Sequence, residues 1–231
     1  MNKKKKDFAD TDYKLALNVG IAFATPEQIF LDSTLPLHCN LPTPSFDIKS
    51  YQNNQQPDPE LFTELCGSPE IVLLVAPAAS GKSTLTTKFI NHIRCNSDDL
   101  GGLPNCMDAA RTALTMTKGK SVVIDNTNVA PEARQKWIAL AQELKVPIRA
   151  VFIEVEKDLN RHLSVFRMLS KHTELKDRRF INDQILNMHY VPYEKSPPLL
   201  SHGFARVDTM EFVPIKYEDE DTNDLFMKYL F

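Results

Sequence analysis

The sequence predicts an α/β fold in which a parallel β-sheet carries helices on both of its faces. Residues 71–75 are a continuous apolar run, the pattern of a strand buried on both sides in a parallel sheet. Further short apolar strands are predicted at 121–124 and 148–155, and another short strand at 93–95, with segments of helical periodicity between them. Such alternation is typical of parallel sheets covered by helices. The 231 residues, 42% hydrophobic and 25% charged, suit one such domain with appendages.

Helical periodicity places helices between and after these strands. Residues 131–144 have a clear helical pattern, with Pro131 in the first turn, where its missing N–H is tolerated. Residues 157–171 predict a polar, arginine-containing helix that suits a lid over a site. The other segments with a helical or amphipathic pattern are 84–92, 106–117 and 181–190.

The loop after the first strand carries the strongest chemical signal. Residues 76–83 (APAASGKS) fit the phosphate-loop spacing (A/G)xxxxGK(S/T), with Ala where the stricter pattern has Gly. In such loops backbone N–H groups bind phosphate oxygens, the lysine reaches the β- and γ-phosphates and the hydroxyl ligates Mg²⁺. A chance Gly-Lys-Ser at an ordinary turn is the alternative, and the flanking strand and helix patterns argue against it. The predicted nucleotide-binding residues are Ala76, Ser80, Gly81, Lys82, Ser83 and Thr84.

Two polar clusters follow later strands, at 96–99 (NSDD) and 125–128 (DNTN). Ligands bind at the carboxyl ends of parallel strands, so both clusters are expected at the sheet edge that carries the phosphate loop. Asp98 is the candidate general base for a hydroxyl acceptor, and a turn-forming or helix-capping aspartate is the alternative. Asp125 is a candidate for the metal shell together with Ser83, and a purely structural role is its alternative.

Arginines in the predicted lid helix are candidates for neutralising charge on a transferred phosphoryl group. An arginine in this role is worth on the order of 10³–10⁵ in rate. Arg161 and Arg167 are six residues apart and do not share one helix face cleanly, and a solvated face is the alternative for each. No histidine pattern typical of a metal site is present in the sequence, and His162 and His189 are the histidines to inspect near a site.

Charge and cysteine usage limit the functional classes. The net charge of −3 gives no overall basic field of the kind that marks many nucleic-acid-binding proteins. The four cysteines show no CxxC spacing, and no secretory signal is apparent, which predicts reduced thiols in the cytosol or nucleus. The basic run at residues 3–6 is compatible with a nuclear signal. No apolar stretch approaches membrane-spanning length.

Several stretches together resemble one family, the kinase half of eukaryotic polynucleotide kinase 3′-phosphatase. The resemblance covers nearly the whole chain and is far more specific than the phosphate loop alone. Besides that loop, it rests on residues 18–31 (NVGIAFATPEQIFL), 96–101 (NSDDLG), 124–128 (IDNTN), 197–198 (PP) and 202–204 (HGF).

The resemblance implies a P-loop kinase fold, a reaction and a substrate. Family members transfer the γ-phosphate of ATP to a 5′-hydroxyl of DNA or RNA, so ATP, Mg²⁺ and nucleic-acid 5′ ends are expected. It assigns Lys82 and Ser83 to ATP and Mg²⁺, and it assigns Asp98 to the general base. The positions that match nucleic-acid contacts of the family are Thr127, Arg134 and Lys136.

The chain departs from the family at three points. Ser97 and Val165 each stand where relatives have an arginine, beside the base and in the lid helix respectively. The Asp-x-Asp-Gly-Thr nucleophile motif of the phosphatase is absent, and DTDY at 10–13 is no substitute, so no 3′-phosphatase activity is expected. Two alternatives remain open: a small-molecule kinase of the same fold, and a catalytically weak nucleic-acid-binding remnant.

The predicted domain organisation has three parts. Residues 1–66 are an N-terminal segment that resembles the phosphatase tail and interdomain linker of the family. Residues 67–215 are the kinase domain, and residues 216–231 are a solvated acidic C-terminal tail.

Overall fold

The strands among the described residues form one parallel sheet, as the sequence predicted. The computed structural model describes residues 10–30, 46–51, 59–63, 69–116, 119–170, 181–212, 217 and 219–231. Within these ranges the strands are β1 (Ile71–Val75), β2 (Ile93–Cys95), β3 (Val122–Ile124), β4 (Ile148–Glu154) and β5 (Arg206–Glu211). Their order in the sheet is β2-β3-β1-β4-β5, and each neighbouring pair is parallel. The first two strands have the predicted bounds. The basic run at residues 3–6 lies outside the described ranges.

The helices alternate with these strands. They are α1 (Thr11–Val19), α2 (Pro26–Phe30), α3 (Lys82–Thr86), α4 (Leu103–Thr115), α5 (Pro131–Leu144), α6 (Lys157–Leu169), α7 (Asp183–Lys195) and α8 (Glu220–Phe226). The bounds of α5 are those predicted, whereas α7 continues five residues beyond its predicted end.

The prediction of a helix over 84–92 is wrong beyond Thr86, where α3 ends. The hydroxyls of Thr86 and Thr87 donate to the carbonyls of Ser83 and Thr84, each at 2.7 Å. Threonine side chains that bond to backbone groups of their own turn compete with helix continuation. The chain then continues through turns to β2.

The central strand β1 is fully buried along its length, because both faces of the sheet are covered there. Ile71, Leu73 and Val75 face a core cluster that includes residues of α4 and α5. Val72 and Leu74 face the opposite side, in a cluster with Leu61 and Phe89. A strand with apolar contacts on both faces explains why β1 reads as a continuous apolar run.

The chain forms two units. The larger one, Asn54–Ser164 and Arg179–Val213, contains the sheet. The smaller one consists of Met1–Asn53, Val165–Arg178 and Pro214–Phe231. The predicted domain limits at 66/67 and 215/216 stay predictions.

The acidic end of the smaller unit is more ordered than a solvated tail. The side chain of Asp219 accepts a hydrogen bond from the amide of Thr222 at 2.9 Å, which caps the start of α8. Phe226 at the end of α8 packs edge-on against Phe166, with ring centroids 5.2 Å apart. Asn18 exchanges two hydrogen bonds with the backbone of Tyr229, at 2.7 and 2.8 Å. Residues Glu220–Phe226 of the predicted acidic tail therefore form a capped helix with a buried aromatic side chain.

Two of the four cysteines, Cys95 and Cys106, lie within the described ranges. Cys95 and Cys106 are free and buried, and burial raises the pKa of the Cys95 thiol to about 11. No described helix has both the length and the apolar character that a membrane span requires. Cys39 and Cys66 lie outside the described ranges.

A buried charged cluster lies at the amino end of β1, opposite the end that carries the phosphate loop. The Arg149 guanidinium donates to both carboxylate oxygens of Glu70, at 3.2 and 3.1 Å, and both side chains are fully buried. His92 contacts the same carboxylate at 3.2 Å. Burial alone would raise the pKa of Glu70, but the hydrogen bond to His92 and the charge of Arg149 outweigh burial and lower it. The Arg149 guanidinium also donates to the carbonyls of Leu61 and Thr63, which attaches that segment to the sheet.

Replacing Glu70 with glutamine is expected to lower the free energy of unfolding by about 3 kcal/mol at neutral pH, the low end for a broken buried pair, because Arg149 loses its fully buried carboxylate partner but keeps its contact with Asp208 at 3.4 Å. The pKa of Glu70 lies below its ordinary value of 4.5 in the folded chain. Its contribution is therefore fully present above about pH 4.5 and is lost as the pH falls through the folded pKa. Urea unfolding of parent and variant from pH 7 down to pH 3 measures this convergence.

Glu143→Gln is the matched control, because Glu143 forms an exposed pair with Arg111. This variant is expected to leave the free energy of unfolding nearly unchanged. Equal destabilisation by the two substitutions would contradict the role given to the buried pair.

Candidate functional site

The phosphate loop, residues 76–83, joins β1 to α3 through two left-handed residues. Ala79 has φ +64° and Gly81 has φ +79°. A Cβ atom at Gly81 would lie 3.3 Å from the ring of Phe212, so a side chain there meets both backbone strain and close contact. Ala79 adopts a conformation that costs a non-glycine residue on the order of 1 kcal/mol. Backbone strain of this kind is often found at functional sites.

The Lys82 ammonium group folds back over this loop. Its Nζ atom donates to the carbonyl of Ala76 at 3.1 Å and to the carbonyl of Pro77. It also lies 3.3 Å from the Ser80 hydroxyl, which itself donates to the Pro77 carbonyl at 2.8 Å. Lys82 is only 8% exposed. The loop therefore holds a buried positive charge where the sequence predicted the triphosphate, with the Ser83 side chain half-buried at the start of α3.

The loop is also held from the side by two helices. The Ala78 N–H donates to Nδ1 of His189 on α7 at 3.3 Å, and the Ala78 carbonyl accepts from the Asn160 side chain on α6 at 2.9 Å. Burial, followed by the charge of Lys82, lowers the pKa of His189. The ring is therefore neutral at physiological pH and able to accept a hydrogen bond. Asn160 was not predicted from the sequence, whereas His189 was one of the two histidines selected for inspection.

Both polar clusters lie at the same sheet edge as the phosphate loop. The amide of Ala76 donates to the Thr127 carbonyl at 3.1 Å, and the Asn128 side chain donates to the Leu74 carbonyl of β1 at 2.8 Å. One cluster contacts the other, because the Ser97 amide donates to the Asn126 side chain at 2.9 Å. These bonds join the phosphate loop to residues 125–128 and through them to residues 96–99.

Asp98 projects from a turn that its neighbour organises. Oδ1 of Asn96 accepts the amides of Asp98 and Asp99 at 2.8 and 3.2 Å, an Asx-turn that fixes the backbone of this cluster. The Asp98 side chain is exposed. Among the described residues, no hydrogen bond or ion pair engages its carboxylate. The carboxylate is thus accessible to an incoming hydroxyl group, as the predicted role requires.

Asp125 is bound by an arginine that the sequence reasoning missed. Arg94 on β2 contacts Oδ2 of this 2% exposed aspartate at 2.8 Å through Nε and at 2.7 Å through its NH2 group. Arg94 also pairs with Asp99. The available signal was a basic residue placed on the strand directly before the acidic cluster.

The donor set suits a magnesium ion held mainly by phosphate oxygens. No group of three or more His, Cys, Asp or Glu side chains that could hold a metal occurs among the residues described. Mg²⁺ retains several water ligands and typically takes one or two protein oxygens plus substrate phosphates. The Ser83 hydroxyl is a suitable protein oxygen of this kind. One carboxylate oxygen of Asp125 is bound to Arg94, and the metal-shell role of Asp125 stays a prediction.

Arg134 differs from the DNA-facing position that was expected. It is 1% exposed, and its guanidinium donates to the carbonyls of Asn128, Val129 and Ser196 at 3.2, 2.7 and 2.6 Å. Because Arg134 lies in the first turn of α5, its side chain reaches the carbonyls of the segment that directly precedes this helix. Lys136 is exposed, and Thr127 is half-buried next to the phosphate loop.

The two lid arginines occupy different surroundings. Arg161 on α6 forms a two-point pair with Asp183 on α7, at 2.8 and 3.0 Å, and lies 3.4 Å from Asp158. Arg167 belongs to the smaller unit, where burial raises the pKa of Tyr217 and the charge of Arg167 offsets part of that rise. Of the two candidates for neutralising charge on a transferred phosphoryl group, Arg161 is the one in the larger unit, next to Asn160, which contacts the phosphate loop.

Comparisons with known proteins agree with this geometry. Residues 103–186 match the family model described as an AAA domain, and residues 1–30 match that of polynucleotide kinase 3 phosphatase. The chain is 37% identical over 219 residues to a bifunctional polynucleotide phosphatase/kinase of Schizosaccharomyces pombe, covering 92% of this chain and 50% of that protein. The resemblance to the polynucleotide kinase 3′-phosphatase family is confirmed. The fold is that of a P-loop kinase.

A second relative is more distant. A similarly named protein of Acanthamoeba polyphaga mimivirus is 29% identical over 240 residues, which cover 98% of this chain and 54% of that protein. The chain therefore spans about half the length of the curated relatives it matches. A solved gluconokinase from Sinorhizobium meliloti is 13% identical, with a TM-score of 0.43 over 68% of this chain and 90% of that one.

The two basic residues of α5 provide a test of the site as described. Arg134→Met is expected to lower the free energy of unfolding by about 2–4 kcal/mol, because it leaves buried carbonyls without donors. Lys136→Met removes an exposed charge from the same helix, and the expected change is within about 0.5 kcal/mol. Denaturant unfolding of both variants measures the difference. An Arg134→Met variant as stable as Lys136→Met would contradict the structural role of Arg134.

Proposed function

We propose that this chain is an ATP-dependent polynucleotide 5′-hydroxyl kinase that acts on DNA or RNA ends in strand-break repair. The observation that carries the proposal is the hydrogen-bonded connection between the phosphate loop and the cluster bearing the accessible carboxylate of Asp98. A phosphate site joined to a base on the acceptor side is what phosphoryl transfer to a hydroxyl requires. Relatives named polynucleotide phosphatase/kinase support nucleic acid as the acceptor.

The donor half of the proposed site is the phosphate loop with Lys82 and Ser83. Bound ATP supplies the γ-phosphoryl group, and Mg²⁺ bound with it neutralises phosphate charge. Lys82 exchanges its contacts with the Ala76 and Pro77 carbonyls for phosphate oxygens, which keeps the buried charge compensated. Ser83 offers its hydroxyl oxygen to the metal. Positioning and charge neutralisation are the main contributions of a protein to this chemistry.

The acceptor half is built around Asp98. Its carboxylate accepts the proton of the 5′-hydroxyl while the hydroxyl oxygen bonds to the transferred phosphorus and the bond to the leaving diphosphate breaks. Thr127 and Lys136, on the segment after β3, are the proposed nucleic-acid contacts. Arg161 is proposed to leave Asp183 for the transferred phosphoryl group. A role at DNA ends favours the nucleus as the place of action, with the cytoplasm as the alternative.

Asp98→Asn is expected to reduce transfer of γ-phosphate to a 5′-hydroxyl oligonucleotide by about 10²–10⁴-fold, the usual worth of a positioned general base. Incorporation of labelled phosphate into the oligonucleotide is the measurement. Asp99→Asn is the matched control, because Asp99 is the adjacent exposed carboxylate and is already paired with Arg94. An unchanged rate for Asp98→Asn would show that Asp98 is not the base. Equal DNA binding by parent and variant without transfer by either would support the remnant alternative.

Ionic strength distinguishes a nucleic-acid acceptor from a small one. Each phosphate contacted on a single strand adds about 0.7 to the slope of log affinity against log salt. The KM for an oligonucleotide is therefore expected to rise steeply between 50 and 200 mM salt, on the order of tenfold for a few contacts. The KM for a nucleoside acceptor with one phosphate serves as the control and is expected to rise less. Turnover on a small alcohol with no oligonucleotide product would favour the small-molecule kinase.

A further inference from the structure

Both backbone polar groups of Ala78 in the phosphate loop are bound by side chains from outside the loop. The N–H donates to Nδ1 of His189, and the carbonyl accepts from Nδ2 of Asn160. These side chains come from two different helices, α7 and α6. A single peptide position of the loop is therefore bound from both helices that follow β4.

Helix α7 is hydrogen-bonded to the sheet close to the residue that makes this contact. The hydroxyls of Tyr190 and Tyr193 on α7 donate to the carbonyls of Val155 and Ile153 at the end of β4, at 2.8 and 2.9 Å. His189 directly precedes the first of these tyrosines. Its ring position is thus set by a helix that is hydrogen-bonded to the central sheet.

Asn160 is fully buried, and its bond to the loop compensates for that burial. Oδ1 of Asn160 has no hydrogen-bond partner among the described residues. A buried amide with one unsatisfied atom is costly, so it persists where its other atom makes a needed contact. The bond from Nδ2 to the Ala78 carbonyl is that contact.

We propose that His189 and Asn160 are positioning residues that hold the phosphate loop in its nucleotide-binding conformation. The inference rests on the proposed function, since it concerns the same nucleotide site. Neither residue needs to touch the nucleotide. They act through Ala78, the residue directly before Ala79, which adopts the left-handed region at φ +64°. Hydrogen bonds on the neighbouring peptide groups favour this strained backbone over relaxed alternatives.

The opposite role, in which His189 competes with phosphate for the Ala78 N–H, makes the reverse prediction. A competitor weakens nucleotide binding, so its removal tightens binding. A residue that positions the loop lowers the free-energy cost of ordering it, so removal of that residue weakens nucleotide binding. Asn160 favours the positioning role. It binds the carbonyl of the same residue, and a carbonyl does not bind phosphate oxygens, so this contact competes with no phosphate.

The test compares two substitutions at His189. Asn places an oxygen acceptor close to the position of Nδ1, whereas Leu has similar reach and no acceptor. His189→Leu is expected to raise the dissociation constant for a fluorescent ATP analogue by about 3- to 10-fold, the effect of losing one net hydrogen bond. His189→Asn is expected to restore the affinity to within about twofold of the parent. The kcat for oligonucleotide phosphorylation is expected to change less than the KM for ATP.

Asn160→Leu provides a second variant that acts through the same loop residue. It is expected to weaken binding to a similar degree, and the double variant His189→Leu, Asn160→Leu less than the product of the two effects, because both hold one loop conformation. Thermal unfolding of each variant confirms a folded chain. Unchanged or tighter binding by folded His189→Leu, or failure of His189→Asn to restore affinity, would overturn the proposal.

These outcomes are separable from failure of the proposed function. A parent chain that binds the ATP analogue but does not phosphorylate oligonucleotides contradicts the proposed kinase function. The affinity ratios of the variants then still decide whether His189 and Asn160 position the loop. A parent chain that binds no nucleotide overturns both proposals.

Discussion

The hydrogen bonds between the ends of β1 and β3 are the constraint on which the rest of the site depends. Asn128 reaches back to the carbonyl of Leu74, and the amide of Ala76 donates to the carbonyl of Thr127. Asn128 adopts φ +48°, a left-handed conformation that asparagine tolerates better than most residues. Parallel pairing alone brings the two strand ends to one edge of the sheet. These bonds go further, because they fix the first residue of the phosphate loop against the segment 125–128, which contacts the polar cluster at 96–99.

Stability and strain are concentrated at opposite ends of the sheet. At the amino end, Glu70 and Arg149 form a buried pair that attaches an adjoining segment. At the carboxyl end, the chain holds left-handed residues, a buried lysine bound by carbonyls and an exposed carboxylate. An end with satisfied buried charges provides a rigid support for an end whose groups must exchange partners during a reaction. This arrangement agrees with the general finding that strained backbone persists where the surrounding structure over-determines it.

Sequence reasoning succeeded where local pattern decides structure. The bounds of β1 followed from its apolar run, those of β2 from its place directly before the polar cluster at 96–99, and those of α5 from periodicity and Pro131. The length of α3 was missed because threonine hydroxyls ended it, an effect weaker in sequence than helical periodicity. The burial of Arg134 was missed because a charged residue on an amphipathic helix is normally exposed. Contacts such as that between Ala78 and His189, which are 111 residues apart, depend on tertiary packing and leave no local signal.

The helices after β4 are joined to each other and to the phosphate loop by contacts of different strength. Arg161 and Asp183 form a partly exposed pair, with 32% and 59% of the side chains accessible. Such pairs contribute about 0–1 kcal/mol, so exchanging Asp183 for a phosphate group costs little. Asn160, in contrast, is fully buried, so its hydrogen bond to the loop is costlier to break. Under the proposed function, Arg161 therefore leaves its exposed pair at little cost, while the buried contact of Asn160 keeps the loop in place.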